Sequence, residues 1–354
     1  MNEALQNLLH GCGQLSRAWV FVALLMSSPV ATRSQDFTYT TNSPDTNTVT
    51  ITGYTGSGGA VEIPSNILGK AVTRLGNSSF EFCGSLTSII IPDSVTIIGA
   101  SAFHGCSNLA NAVIGNGVTN IYGMAFVGCA LTNAVIGNSV TNIGEIAFFD
   151  CFRDANLVIG DGITNIGYPV IDFVNVVNLV LGKGFTKIQD GAFYEGCGMT
   201  NIVLPDSVTN IGALAFSGCG NLTNIIIPDS VTRFESQAFS YSSLTSIIIP
   251  DSVTSMGGLV FDRCHSLTGI AVNVGNTAFS SRDGVLFNQP QTVLITYPNG
   301  KTGSYSIPDG VTRIGYSAFH SCANLTGITI PNSVTDIEDA AFGYCTGLTS
   351  ITVP

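Results

Sequence analysis

The residues best able to do chemistry in this sequence are its ten cysteines. A thiolate is a nucleophile and a metal ligand, and two neighbouring thiols can form a disulfide. Nine of the ten occupy one recurring position: Cys83, Cys106, Cys129, Cys151, Cys197, Cys219, Cys264, Cys322 and Cys345. Zinc knuckles and dithiol redox sites need close pairs such as C-x-x-C, and the sequence has none. One thiol per interval describes a ladder, and nine is an odd number for pairing. A buried thiol behaves as a small apolar side chain, so packing is the expected role. Ser242 stands in for the cysteine of one copy, as small-residue packing would allow.

The other reactive types form no constellation. His104 and His320 fall two residues before a ladder cysteine, and His265 directly after one, so no two-histidine metal face is expected and a surface role is. His10 lies near the start of the chain. There is no G-x-S-x-G elbow and no Ser-His-Asp set is indicated. Gly56-Ser57-Gly58-Gly59 lies between strands without a following helix, which makes it a turn and not a phosphate cradle. Gly300-Lys301-Thr302 resembles the tail of a P-loop, but Ile295 stands where that loop needs glycine. The expectation is therefore a protein that is not an enzyme, with no metal and no cofactor.

The elements that carry the cysteines are internal repeats. Leu86 to Asn108 reads LTSIIIPDSVTIIGASAFHGCSN, and Leu244 to Ser266 reads LTSIIIPDSVTSMGGLVFDRCHS. The pattern L-T-x-I-x-I-P-x-S-V-T-x-I-x-x-x-A-F-x-x-C returns about every 23 residues. A phenylalanine marks each copy: Phe80, Phe103, Phe126, Phe148, Phe173, Phe193, Phe216, Phe239, Phe261, Phe319 and Phe342. A unit this small cannot bury its own apolar face, whereas stacked units share one core, which defines a solenoid. In one copy Leu86, Ile89, Ile91, Val95, Ile98, Phe103 and Cys106 form the expected inward set. The alternation at Ile89 and Ile91 predicts a strand, which Pro92 ends because it lacks the N–H for a ladder. A turn or short helix is expected around Ala102-Phe103. With rungs about 4.8 Å apart, a dozen copies would make a rod or arc on the order of 55–60 Å long.

This 23-residue pattern resembles the BspA-type leucine-rich repeats over nearly everything after about residue 60. The segments Asp283 to Phe287 (DGVLF), Leu294 to Lys301 (LITYPNGK) and Ile307 to Gly315 (IPDGVTRIG) are similar to the family as well. The resemblance implies a β-rich leucine-rich-repeat solenoid with short helical or turn segments. It also implies a bacterial or protist surface or secreted protein whose activity is protein interaction, including adhesion. It carries over no catalytic motif.

The organisation follows. Residues 36–64 read as an N-terminal β cap over the open end of the core, and residues 65–354 as the solenoid. Residues 269–306 exceed one repeat; Asp283-Gly284 and Pro298-Asn299-Gly300 are turn signals there, around the strands of a β-meander insert. The stretch 150–185 is degenerate, since alanine and cysteine are both missing around Phe173. Ala18 to Met26 is the most apolar run, preceded by Arg17 and followed by small residues to Ala31, the layout of a signal peptide over 1–31. Secretion makes so many free thiols unusual, and burial would protect them. The sequence ends on a strand at Pro354 without a cap, so continuation of the natural protein, or a fragment, is expected.

Composition narrows the partners. With 12 Lys+Arg against 23 Asp+Glu the chain has a net charge of −11, which disfavours nucleic acid and anionic membrane surfaces. Mean hydropathy is +0.39, yet no apolar run approaches the 18–20 or so residues of a spanning helix, so no membrane insertion is expected after signal cleavage. The candidate binding residues are the outward aliphatics between each inward pair: Ile90, Val113, Val135, Val158, Val180, Val203, Ile226 and Ile248. Thr and Ser/Asn columns run beside them, and Ala271 and Thr329 end the stripe. Two readings remain open. β-branched residues suit any strand, and an apolar stripe rimmed by hydroxyls suits a protein or glycan ligand on a host, neighbouring cell or envelope. The alternative function is a structural spacer or accessory region of a larger secreted or envelope protein whose C-terminal part is missing.

Overall fold

The computed structural model describes residues 34–164, 171, 173–195 and 197–354. The segment read as a signal peptide, with His10 and Cys12, lies outside them. The chain forms two compact units, one ending at Phe185 and the other running from Thr186 to Pro354. Both are β-solenoids; the one helix among the described residues is a three-residue turn at Ser34–Asp36.

In the first unit the coils supply strands to a long-strand sheet, and three of them a two-residue strand to a second sheet. The long strands are Gly59–Glu62, Leu86–Ile91, Asn111–Ile114, Leu131–Ile136, Phe152–Ile159 and Val176–Leu181, each parallel to the next. The short ones, Ile97–Ile98, Asn120–Ile121 and Asn142–Ile143, continue a sheet begun by Lys70–Leu75. The hairpin of Phe37–Thr41 and Thr48–Tyr54 joins that sheet through Thr48–Tyr54, parallel to Lys70–Leu75.

The second unit repeats the plan and interrupts it once. Asn201–Val203 pairs with Asn224–Ile226, and Ser246–Ile249 with Gly269–Val272. Four short strands, from Lys187–Ile188 to Ser255–Met256, form the second sheet. After Val272 the chain makes an antiparallel meander of Phe279–Arg282, Val285–Asn288 and Val293–Thr296. Val293–Thr296 also pairs in parallel with Arg313–Ile314, so the last meander strand is the short strand of the next coil.

Leu86, Ile89, Ile91, Val95, Ile98, Phe103 and Cys106 are all at most 1% exposed, as the inward set requires. The aromatic markers stack at one-coil intervals. Ring centroids lie 4.9, 5.0 and 4.8 Å apart from Phe80 to Phe148, and 5.0, 5.5 and 5.7 Å apart from Phe193 to Phe261. The long gap before Phe319 holds a marker of another type. Tyr297 is buried and stacks on Phe319 at 5.1 Å, and Phe319 on Phe342 at 5.1 Å. The segment around Ala102-Phe103 is a turn with two left-handed residues, Ser101 (φ 56°) and Gly105 (φ 71°). Alternate N–H groups there point along the stack, so Phe103 N–H donates to Ala125 O at 2.8 Å.

Candidate functional site

Five of the eight outward aliphatics come together in the first unit. Ile90, Val113, Val135, Val158 and Val180 floor one groove along the long-strand sheet. They are half-buried except Val158, at 9% exposure the deepest of them. One wall is made by the turn that follows each strand. Where other copies have proline, four consecutive coils have glycine: Gly115, Gly137, Gly160 and Gly182. A Cβ on Gly137 would lie 2.4 Å from Gly115 O, and one on Gly182 2.4 Å from the carbonyl carbon of Gly160. Only glycine lets these turns stack so closely.

Beyond the glycines runs a second ladder. Asp93 Oδ1 accepts Asn116 N–H at 2.6 Å, and Asn116 Oδ1 accepts Asn138 N–H at 2.9 Å. Asn138 Oδ1 accepts Asp161 N–H at 3.1 Å, and Asp161 Oδ1 accepts Lys183 N–H at 2.7 Å. On the other side of the floor the asparagine column zips itself together. Asn133, Asn156 and Asn178 each donate Nδ2–H to the Oδ1 of the asparagine one coil earlier, at 2.9, 2.9 and 2.7 Å. The result is an apolar floor between two rows of fixed dipoles. The glycine run is the part the motif reading missed, although Ile-Gly in place of Ile-Pro was visible in the sequence.

In the second unit Val203, Ile226 and Ile248 stand clear of the sheet, 37%, 57% and 59% exposed. Ile248 pairs with Ala271, where the large side chains stop.

The histidines separate. His265 is exposed, and His104 Nδ1 lies 3.1 Å from Glu81 Oε1. His320 departs from the surface role expected of it. Its side chain is 14% exposed, and Nδ1 lies 2.7 Å from Oδ1 of Asp262, itself 6% exposed. Ser321 Oγ approaches the same Nδ1 at 3.1 Å. Serine, histidine and aspartate thus meet here, which the sequence did not indicate. Both partners use one ring nitrogen, so the relay from Asp through both nitrogens to Ser is not assembled.

The nine ladder cysteines are free thiols. Cys106, Cys129, Cys219, Cys264 and Cys345 each donate S–H to the carbonyl of the marker phenylalanine one coil back, at 2.9–3.3 Å. Burial pushes the thiol of Cys106 up to about 12 and that of Cys264 up to about 11. A hydrogen bond with Cys197, then burial, raises Cys219. Such thiols are poor nucleophiles and poor ligands. Among the described residues no three His, Cys, Asp or Glu side chains converge on a metal position, and no helix is long and apolar enough to cross a membrane.

Comparison with known proteins agrees with this geometry. The family model for the BspA type leucine rich repeat region matches residues 73–197, 186–302 and 295–354. A leucine-rich repeat protein from Bacteroides ovatus ATCC 8483 is similar in structure, with a TM-score of 0.56 and 23% identity over 91% of this chain and 94% of that one. A leucine rich cell surface protein from Faecalibacterium prausnitzii A2-165 is 29% identical, with a TM-score of 0.45 over 92% of this chain and 77% of that one. The pneumococcal vaccine antigen PcpA is 21% identical, with a TM-score of 0.41 over 92% and 71%. No curated protein matches.

Proposed function

Because the chain belongs to the BspA-type leucine-rich repeat family, we propose that it is a secreted or cell-surface scaffold that holds a protein partner against the outward face of its long-strand sheets. The observation that carries this reading is the groove of the first unit. Its floor is aliphatic, its glycine wall is bare backbone, and both rims are hydrogen-bonded ladders. A floor already ordered by the sheet loses little entropy on binding, which favours broad contact with a protein over capture of a small molecule. Export is the reading of residues 1–31, where Arg17, an apolar run and small residues follow in the order of a signal peptide.

The test uses two triple variants, Val113→Lys/Val135→Lys/Val180→Lys in the first unit and Val203→Lys/Ile226→Lys/Ile248→Lys in the second. Circular dichroism establishes that each folds. Pull-downs from host-cell and envelope extracts then compare them with the parent chain. The first variant should lose the partner and the second should weaken capture. Undiminished capture by both folded variants removes the sheet face as the binding surface. Binding should also vary little between 50 and 300 mM salt or so, because the floor carries no charge.

A further inference from the structure

The second unit contains a notch whose hydrogen-bond pattern describes its occupant. At each intact junction of this unit three alternate N–H groups of one coil meet three alternate carbonyls of the next. Leu214, Phe216 and Gly218 donate to Ser236, Ala238 and Ser240 at 3.1, 2.8 and 2.9 Å. Gln237, Phe239 and Tyr241 donate to Gly258, Val260 and Asp262 at 3.0, 3.0 and 2.9 Å. The next three donors in the series are Leu259, Phe261 and Arg263. No coil-to-coil acceptor meets them.

The reason is the length of the coil that follows. Leu294 is in register with Ile314, and Tyr297 stacks on Phe319. Five sequence steps separate Ile314 from Phe319, and three separate Leu294 from Tyr297. Two residues of the turn are therefore missing, and the carbonyls that the register would offer to Phe261 and Arg263 are held elsewhere: Thr296 lies in the meander opposite Leu286, and Pro298 O accepts Lys301 N–H at 3.1 Å. The gap is lined by Leu259, Phe261, Thr296, Tyr316 and Glu338. His320 and Asp262 bond across it. On its far side the junction is repaired, since Tyr297 N–H donates to Ala318 O at 2.8 Å and Asn299 Nδ2 donates to His320 O at 2.6 Å.

We propose that this notch docks a peptide segment of a partner protein, folded as the chain's own turns are, whose carbonyls at alternate residues accept from Leu259, Phe261 and Arg263. The donors have the two-residue spacing that backbone carbonyls fill at every intact junction of the unit, where the accepting segment is a turn with left-handed residues such as Gln237 (φ 57°) and Leu259 (φ 57°). The charged groups at the notch already have partners. Asp262 meets His320, Glu338 meets Arg313 at 3.3 Å, and Arg263 stacks on Tyr241 and Tyr344 at 5.1 and 5.5 Å. Neutral N–H groups remain, and a peptide backbone is the neutral polymer that presents acceptors at this repeat.

The probe is the capped heptapeptide Gly-Ala-Leu-Ala-Phe-Ser-Gly, the sequence of the chain's own turn at residues 212–218. Amide hydrogen exchange is followed on the full chain. Without peptide, the amides of Leu259, Phe261 and Arg263 should exchange faster than those of Leu214, Phe216 and Gly218. Millimolar peptide should slow the first three about tenfold or more and leave the second three unchanged. Thr296→Trp, which fills the notch from its wall, should abolish the effect. Inserting Ala-Ser between Thr296 and Tyr297 restores the coil length and should protect the three amides without peptide. Equal protection of both sets in the free chain overturns the proposal, as does peptide without effect. Slowing by sulfate alone overturns it in favour of an anion site.

Discussion

The thiol of Cys264 donates a hydrogen bond to the carbonyl oxygen of Phe239, 3.0 Å away. That carbonyl belongs to the aromatic marker of the preceding coil, so the bond joins the two columns that define the repeat. The same carbonyl accepts Ser242 N–H at 3.2 Å, so the S–H takes up the oxygen's second lone pair, a bond that alanine in the same space could not make.

A pH dependence follows from burial of this ladder. The folded thiols of Cys264 and Cys106 are raised to about 11 and 12, from an ordinary 9.0. Below 9 both folded and unfolded chains hold these protons, and the stabilisation is fully present. Above 9 the unfolded chain loses protons that the folded chain keeps, so stability falls as pH rises through the folded values. The urea midpoint should therefore drop between pH 8 and pH 10.5. In native protein at pH 8, a thiol reagent should label Cys83 and Cys345, the partly exposed ends, before any other ladder thiol. A flat midpoint with uniform labelling would contradict a buried ladder.

The marker column sets a second expectation. Phe216 is fully buried between Phe193 and Phe239, with centroids 5.0 and 5.5 Å away. Phe216→Ala should destabilise by about 3–5 kcal/mol, the range for large-to-small core changes. Phe82→Ala, at a ring 69% exposed, should fall within about 0.5 kcal/mol of the parent. Denaturant titration of the two variants separates a packed column from a decorative one.

The repeat, its inward residues and its strand ends could be read from the sequence because each is local: period-2 alternation, a proline stop, a marker every coil. The Tyr297 coil escaped because its marker is tyrosine and its turn is two residues short. The pairing of His320 with Asp262 escaped for a related reason: they are 58 positions apart with the meander between them, and only the folded stack brings them into contact. The eight outward aliphatics could be placed on one face. The face is a groove along the coils with glycine after the strand, as at Gly137, and an open ridge at Ile226, where Pro228 follows, and the repeat pattern treated those positions as equivalent.

That glycine is testable by itself. A Cβ at position 137 would meet Gly115 O at 2.4 Å, a backbone atom that cannot rotate away. Gly137→Ala should cost about 1–3 kcal/mol, as overpacking does. Gly258→Ala, where nothing lies within 4 Å, should be neutral or slightly stabilising. Equal thermal midpoints for the two variants would mean that the turns of the first unit can part without cost.

The asparagine column on the other rim makes the last prediction. Asn156 donates Nδ2–H to Asn133 Oδ1 at 2.9 Å and accepts from Asn178 Nδ2 at 2.7 Å. Asn156→Asp preserves the shape and the acceptor but removes the donor, so at neutral pH a carboxylate oxygen faces the Asn133 carbonyl oxygen. The loss should be about 1–2 kcal/mol, one partly buried hydrogen bond with its donor deleted. Protonation returns the missing donor, since a neutral carboxyl carries an O–H. The deficit relative to the parent chain should therefore shrink as pH falls from 7 to about 3.5, through the ordinary carboxyl range. Asn156→Ser, which cannot span to Asn133, should show a deficit that does not change with pH. Urea titrations of the three chains at both pH values decide the matter: a pH-independent deficit for Asn156→Asp would show that the amide ladder does not hold this rim of the groove.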